Sequence, residues 1–190
     1  MGDMRRSVSE LFGSLNAEHR RIKAVTEALD AFVSEPAGLD PHEVIRFATF
    51  FRGYVDGLHH QREELVLLPA LGYAGFAPDS GALAHIVDQH RKEARLLLAF
   101  VMAASAKAPW GAGEKEAIAA AARALAAFQR SHMGEEQELL FPLAQRELAV
   151  DHAEAVLEEL ERFDRRTASR YNPEWLEQLG DELVAAHPVT

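Results

Sequence analysis

The chain is 190 residues long, the size of one ordinary domain with or without an appendage. Its 30 acidic and 20 basic residues give a formal net charge of −10, which argues against nucleic acid and against an electrostatic hold on an anionic membrane. It has no cysteine, which excludes disulfide scaffolds, thiolate zinc sites, iron–sulfur clusters and cysteine nucleophiles.

At 48% hydrophobic residues the composition can fill a core. No apolar run reaches the ~18 residues that a transmembrane helix needs. The start, Met1-Gly2-Asp3-Met4-Arg5-Arg6, leads into no apolar signal core, so the expected location is the cytoplasm.

Residues 1–13 read as an arm. A first helix is predicted from about Leu15 to Val33, with Ser14 or Asn16 as its cap and Ile22, Val25, Leu29 and Phe32 on one face. Glu35-Pro36-Ala37-Gly38 stops it. Asp40 then offers an N-cap, Pro41 fits the first helical position, and Glu43 stands three residues after Asp40. That second helix should reach about Leu67 and end at Pro69. A third is predicted from near Ser80 to about Ala106, before Pro109-Trp110-Gly111. A fourth runs from about Ala112 to Phe141, with Pro142 as its stop. A shorter helix from about Asp151 to Arg166 and a last one opening at Asn172-Pro173-Glu174 follow. No useful strand alternation occurs. The predicted fold class is all-α, an up-down-up-down four-helix bundle over residues 10–145 with a short helical C-terminal extension over 146–190.

Two segments match at one offset. His59-x-x-x-Glu63 is followed by Leu67 and Pro69, and His132-x-x-x-Glu136 by Leu140 and Pro142, each pair 73 residues apart. Residues i and i+4 share a helix face, so each segment aims an imidazole and a carboxylate the same way. Glu18-His19-Arg20-Arg21 and Gln89-His90-Arg91-Lys92 repeat at an offset of 71. The chain thus reads as two helical hairpins, each with one His early in its first helix and H-x-x-x-E late in its second. At 1.5 Å rise per residue, all four levels agree to within a helical turn or two. Four histidines and two glutamates can therefore meet at one end of the bundle interior. Burying that set without a partner is costly, and a metal resolves it. Six side chains exceed a closed zinc site, and the mixed nitrogen and oxygen set favours two iron or manganese ions bridged by the carboxylates.

On these residues the chain resembles the hemerythrin-like, HHE cation-binding domains. The matching positions are His19, His59-x-x-x-Glu63, His90 and His132-x-x-x-Glu136, together with the words His59-His60-Gln61-Arg62-Glu63-Glu64 and Leu139-Leu140-Phe141-Pro142. The resemblance implies a four-helix bundle with a non-haem di-iron centre, two iron ions with an oxo or hydroxo bridge, manganese or zinc being the other metals considered. Family members handle O2, nitric oxide or iron. The implied partner is such a small diatomic ligand, with a homodimer also open. Respiratory hemerythrins carry a further His on the third helix, at the place held here by Ile86. A centre of four His and two Glu is closer to the di-iron proteins of iron–sulfur repair and nitrosative stress, whose cysteine-bearing N-terminal domain has no counterpart in this cysteine-free chain. The expected function is O2 or nitric oxide binding or sensing, iron handling or a redox stress response, by a non-enzymatic or weakly redox-active metalloprotein. A ferroxidase or peroxidase using the same centre, and a metal-free helical interaction module, are the alternatives.

The remaining residues are expected in bland roles. His60 turns away from His59, to stand behind the ligands or at the surface rather than to bind. His85 is a partly exposed histidine. Glu64 and Glu135 are surface acids, Glu93 at i+3 from His90 either faces the site or, the preferred reading, is a helix-surface acid, and His42, His152 and His187 are exposed. Gly134 either leaves room for a small ligand or relieves crowding. Trp175, Leu176, Leu179 and Leu183 form an apolar stripe that caps the bundle or pairs two subunits.

Overall fold

The computed structural model describes residues 4–148 and 150–189, with side chains described over 11–148 and 152–189. Six helices account for the fold, with no strand among the described residues. They are α1 (Met4–Phe32), α2 over 41–73, α3 (Gly81–Ala104), α4 over 112–147, α5 (Val150–Thr167) and α6 (Pro173–Ala186).

The first helix corrects the expected arm. It is already helical at Met4, and Leu11, Phe12 and Leu15 are buried. These three extend the spacing of Ile22, Val25 and Leu29 toward the N-terminus, so the apolar stripe that drives docking begins before Ser14. Asn16 lies inside the helix, its amide donating to the Phe12 carbonyl at 2.6 Å. Residues 1–3 of the expected arm lie outside the described residues. The start of α2 agrees with its capping pattern: the Asp40 carboxylate accepts from the backbone N–H of His42 (2.9 Å) and Glu43 (3.2 Å). Asn172 caps α6 likewise, accepting from Trp175 N–H at 3.1 Å.

Neither Pro69 nor Pro142 ends its helix. Ahead of each lies a single π-helical stretch, Glu63–Leu67 in α2 and Glu136–Leu140 in α4. There Leu68 N–H donates to the Glu63 carbonyl and Phe141 N–H to the Glu136 carbonyl, five residues back. The proline follows where the hydrogen-bond ladder has already changed register, so its missing N–H is absorbed and the helix continues for another turn or more. The 73-residue repeat therefore extends to the backbone itself. A further π stretch, Phe51–His59, ends on the first residue of the first motif.

Cross-contacts show antiparallel neighbours. His19 meets Phe141 while Arg123 reaches the Val33 carbonyl, so α1 and α4 run oppositely. Gln89 meets His132 and Lys92 lies over Phe128, so α3 and α4 do too. Glu18 meets His59 and Phe32 stacks on Phe47, which sets α1 against α2. The C-terminal helices cover this bundle: α6 packs on α1 and α2, and α5 on α1 and the second π stretch of α2. Leu176, Leu179 and Leu183 are buried there, which leaves Trp175 as the exposed member of the stripe. Close approach is set by glycine. A Cβ on Gly53 would lie 2.8 Å from Leu176, and one on Gly180 2.8 Å from Phe50.

Candidate metal centre

The structure brings His19, His59, Glu63, His90, His132 and Glu136 together, all at most 3% exposed. The antiparallel topology places the early turns of α1 and α3 beside the late turns of α2 and α4. His59 and Glu63 share a face of α2 and His132 and Glu136 a face of α4, as the i,i+4 spacing requires.

The two carboxylates form the axis of the cluster. Glu136 Oε2 lies 3.2 Å from His19 Nε2 and 3.9 Å from His59 Nε2, while its Oε1 lies 3.3 Å from His90 Nε2 and 3.1 Å from His132 Nε2. Glu63 repeats the pattern, with Oε1 3.9 Å from His59 Nε2 and Oε2 3.3 Å from His90 Nε2. Each glutamate thus turns one oxygen toward a His19/His59 side and the other toward a His90/His132 side. His19 and His59 bring their Nε2 atoms within 3.2 Å of each other.

Outward-facing ring nitrogens are clamped. His59 Nδ1 meets Glu18 Oε2 at 2.9 Å, His132 Nδ1 meets Gln89 Oε1 at 2.7 Å, and His90 Nδ1 meets Glu64 Oε1 at 2.8 Å. Each clamp turns Nε2 inward and selects the ring tautomer that leaves Nε2 free to bind. Glu18 is itself held by Arg62 Nη1 at 2.8 Å, and Arg62 Nε donates to Asp164 Oδ1 on α5 at 2.9 Å.

Charge is strongly perturbed in the cluster. Burial pushes the Glu136 carboxyl up, but the imidazoles of His19, His59 and His90 outweigh it and hold the group well below the usual range. Burial and the neighbouring Glu136 charge push Glu63 up to about 7. Burial lowers His90, but the carboxylates of Glu136, Glu63 and Glu64 carry it up to about 12. His132, which burial dominates, is pushed down to about 4.

Among the described residues, seven buried side-chain nitrogen and oxygen atoms have no hydrogen-bond partner. They are His19 Nδ1, both ring nitrogens of His60, both oxygens of Glu63, His132 Nε2 and Glu136 Oε2, all in this cluster. At roughly 1–3 kcal/mol for each unsatisfied group, such a concentration is a large cost for a protein with no use for it. Lone pairs that converge without donors suit a cation. Two sets of donor atoms fall within 4.8 Å of one another: His19, His59, Glu63 and Glu136 form one set, and His60, His90 and His132 the other.

Several expectations are corrected here. His60 is 2% exposed and stacks on His90 with ring centroids 4.0 Å apart. It points into the cluster because the next position along α2 meets α3 and α4 rather than solvent. Glu93 is buried at 2% exposure and lies 3.6 Å from His60 Nε2, and the Gln129 amide, its nitrogen turned inward, donates to the Glu93 carboxylate. Glu64 holds His90 rather than standing free on the surface. His187 is half-buried against Phe32 and Phe47, and Glu43 accepts from it. Gly134 relieves no crowding, since a Cβ there would meet nothing within 4 Å. Glu135 and His85 stay at the surface as a pair at 2.7 Å, and Ile86 is core. Glu18 and Gln89 hold histidines of the cluster, and the motif spacing alone does not single them out. A signal for them is present in the sequence, because each is the residue before a repeated His, and each clamps the His of its own hairpin's second helix.

Fold and site together define an antiparallel four-helix bundle with a buried His/Glu cluster able to hold metal at one end. The model of the hemerythrin HHE cation-binding domain matches residues 11–144, and the chain belongs to that family. Neither the curated proteins nor the solved structures contain a match. No helix among the described residues is long and apolar enough to cross a membrane.

Proposed function

We propose that the cluster is a non-haem di-iron centre with His19 and His59 on one metal, His90 and His132 on the other, and Glu63 and Glu136 bridging both. One observation carries this reading: both carboxylates offer one oxygen to each histidine pair. The mixed nitrogen and oxygen donors favour iron, with manganese next; four donors per metal would close a tetrahedral zinc site but leave open positions on iron or manganese. When bound, the pair of irons supplies redox chemistry and open positions for a small ligand. The protein's own part is to keep Nε2 of His59, His132 and His90 aimed inward through Glu18, Gln89 and Glu64, and to exclude bulk water.

Burial narrows what the centre handles. His59, Glu63, His132 and Glu136 are 0% exposed, which suits a diatomic such as O2 or nitric oxide and not a bulky substrate. The protein is therefore read as a binder or sensor of such a ligand, or as an iron-handling protein, located in the cytoplasm. The metal-binding bundle would span residues 10–145 and the extension residues 146–190, whose helices α5 and α6 pack against it. The seven unpartnered atoms weigh against a metal-free interaction module.

The test is metal content per chain in protein purified without chelator or affinity tag, with the visible spectrum before and after O2. Two irons per chain with a near-ultraviolet charge-transfer band support the reading. No metal, and none taken up from ferrous iron under anaerobic conditions, overturns it.

A further inference from the structure

The two halves of the centre are unequal. The residue 73 positions after His60 is Met133, and the residue 71 positions before Glu93 is Ile22, both buried and apolar. The repeat that supplies the matched ligands therefore breaks at these positions, and it breaks in favour of polar groups on the His90/His132 side alone. His60 and Glu93, with Gln129 donating to Glu93, form a polar wedge where the other half has the apolar Met133 and Ile22.

His60 is the focus of that wedge. It is 2% exposed, and neither ring nitrogen has a hydrogen-bond partner. Its ring stacks on His90 at 4.0 Å and meets His132 edge-on at 5.4 Å. A donor atom of His60 lies within 4.8 Å of donor atoms of both. An imidazole whose only role was packing would be replaceable by the methionine that its counterpart carries. Glu93 Oε2 stands 3.6 Å from His60 Nε2, where it can take one ring N–H and steer the other nitrogen, as Glu18 and Gln89 do for their own histidines.

We propose that His60 is a seventh metal ligand, completing the His90/His132 position and leaving the His19/His59 position with two histidines. This rests on the di-metal reading above. Consequently the His90/His132 position, with an extra imidazole, fills first and holds its metal more tightly, and the other is the less saturated of the two.

The test is an anaerobic Co(II) titration of the full chain, comparing the unaltered protein with His60→Leu, an apolar side chain of a size its counterpart position already accommodates. Expected are two binding steps in the unaltered protein, the tighter weakened at least tenfold in His60→Leu with altered Co(II) ligand-field bands, and the weaker step unchanged. Identical steps and bands in both proteins would overturn the proposal and leave the six-residue centre standing. Failure of the unaltered protein to bind Co(II) or Fe(II) at all would instead overturn the di-metal reading and this proposal with it. A second measurement needs no variant: ¹⁵N-histidine NMR of the chain loaded with Cd(II), a diamagnetic ion that accepts more than four ligands, should show five metal-bound imidazoles, whereas four would refute the role of His60.

Discussion

Glu18 on α1 takes the Nδ1 proton of His59 on α2 at 2.9 Å, and so one hairpin's first helix orients the imidazole of its second. Gln89 does the same for His132 in the other hairpin, at 2.7 Å. The two clamps serve opposite sides of the centre. Glu18→Ala should weaken metal binding on the His19/His59 side about 10–100-fold, and Gln89→Ala on the His90/His132 side by a similar factor. Stepwise metal titration of each variant resolves this. Equal weakening of both steps in either variant would contradict the assignment of clamps to sides.

Asp164 reaches the same histidine through two intermediates. It accepts from Arg62 at 2.9 Å, Arg62 holds Glu18, and Glu18 holds His59. The Asp164 side chain is 37% exposed, so its pair with Arg62 is worth about 1 kcal/mol or less. Asp164→Ala should therefore weaken the His19/His59 step by a few-fold at most, with little change in melting temperature. A loss as large as that in Glu18→Ala would mean that α5 shapes the centre by more than this relay.

Glu63 and Glu136 each face both histidine pairs, which makes neither dispensable to either metal. Glu63→Ala and Glu136→Ala should each retain less than one metal per chain, by elemental analysis after desalting. Full metal content in Glu63→Ala would remove that residue from the bridge.

Burial pushes the Glu93 carboxyl up to about 8, above its ordinary 4.5. Between those values the folded metal-free protein keeps a proton that the unfolded chain releases. This contribution to stability is full below pH 4.5 and is lost as pH rises toward 8. Glu93→Gln is neutral at every pH. The metal-free variant should match the unaltered protein near pH 4.5 and exceed it at pH 8 by up to a few kcal/mol, since each pH unit between the two values is worth about 1.4 kcal/mol. Urea midpoints of chelator-treated protein at both pH values check this. A variant that is less stable at pH 8 would show that Glu93 is held as a carboxylate.

Metal that binds only the folded state must stabilise it. At a hundredfold excess over Kd the gain is about 2.7 kcal/mol, or roughly 5–10 °C in Tm for a chain of this size. Thermal melts with and without ferrous iron under anaerobic conditions measure it, and an unchanged Tm would count against a resident metal.

Helix count, the caps at Asp40 and Asn172, and the convergence of six ligand-type residues are all legible in the amino-acid sequence. They rest on local rules: capping chemistry, 3.6-residue periodicity, and an i,i+4 pair recurring at one offset. The start of α1 escapes those rules because a polar opening, Met1 to Ser9, hides the stripe that Leu11, Phe12 and Leu15 begin. Pro69 and Pro142 read as stops because a π turn leaves no mark in hydrophobic pattern, and only the backbone ladder reveals it.

The environment of His60, Glu64 and Glu93 belongs to the tertiary structure alone. On an isolated helix, His60 is rotated about 100° from His59 and reads as a bystander. In the bundle that direction points at α3 and α4, and the same rotation carries the ring against His90. Burial of an acid such as Glu93 likewise depends on what a neighbouring helix brings opposite it, here His60 and Gln129. The repeated spacing of ligand-type residues is readable along the chain, because a helix turns that spacing into a shared face. Which groups clamp, crowd or complete the centre is decided by the docking of the helices, because partners such as Glu64 and His90, or Gln89 and His132, lie 26 and 43 residues apart and share no helix.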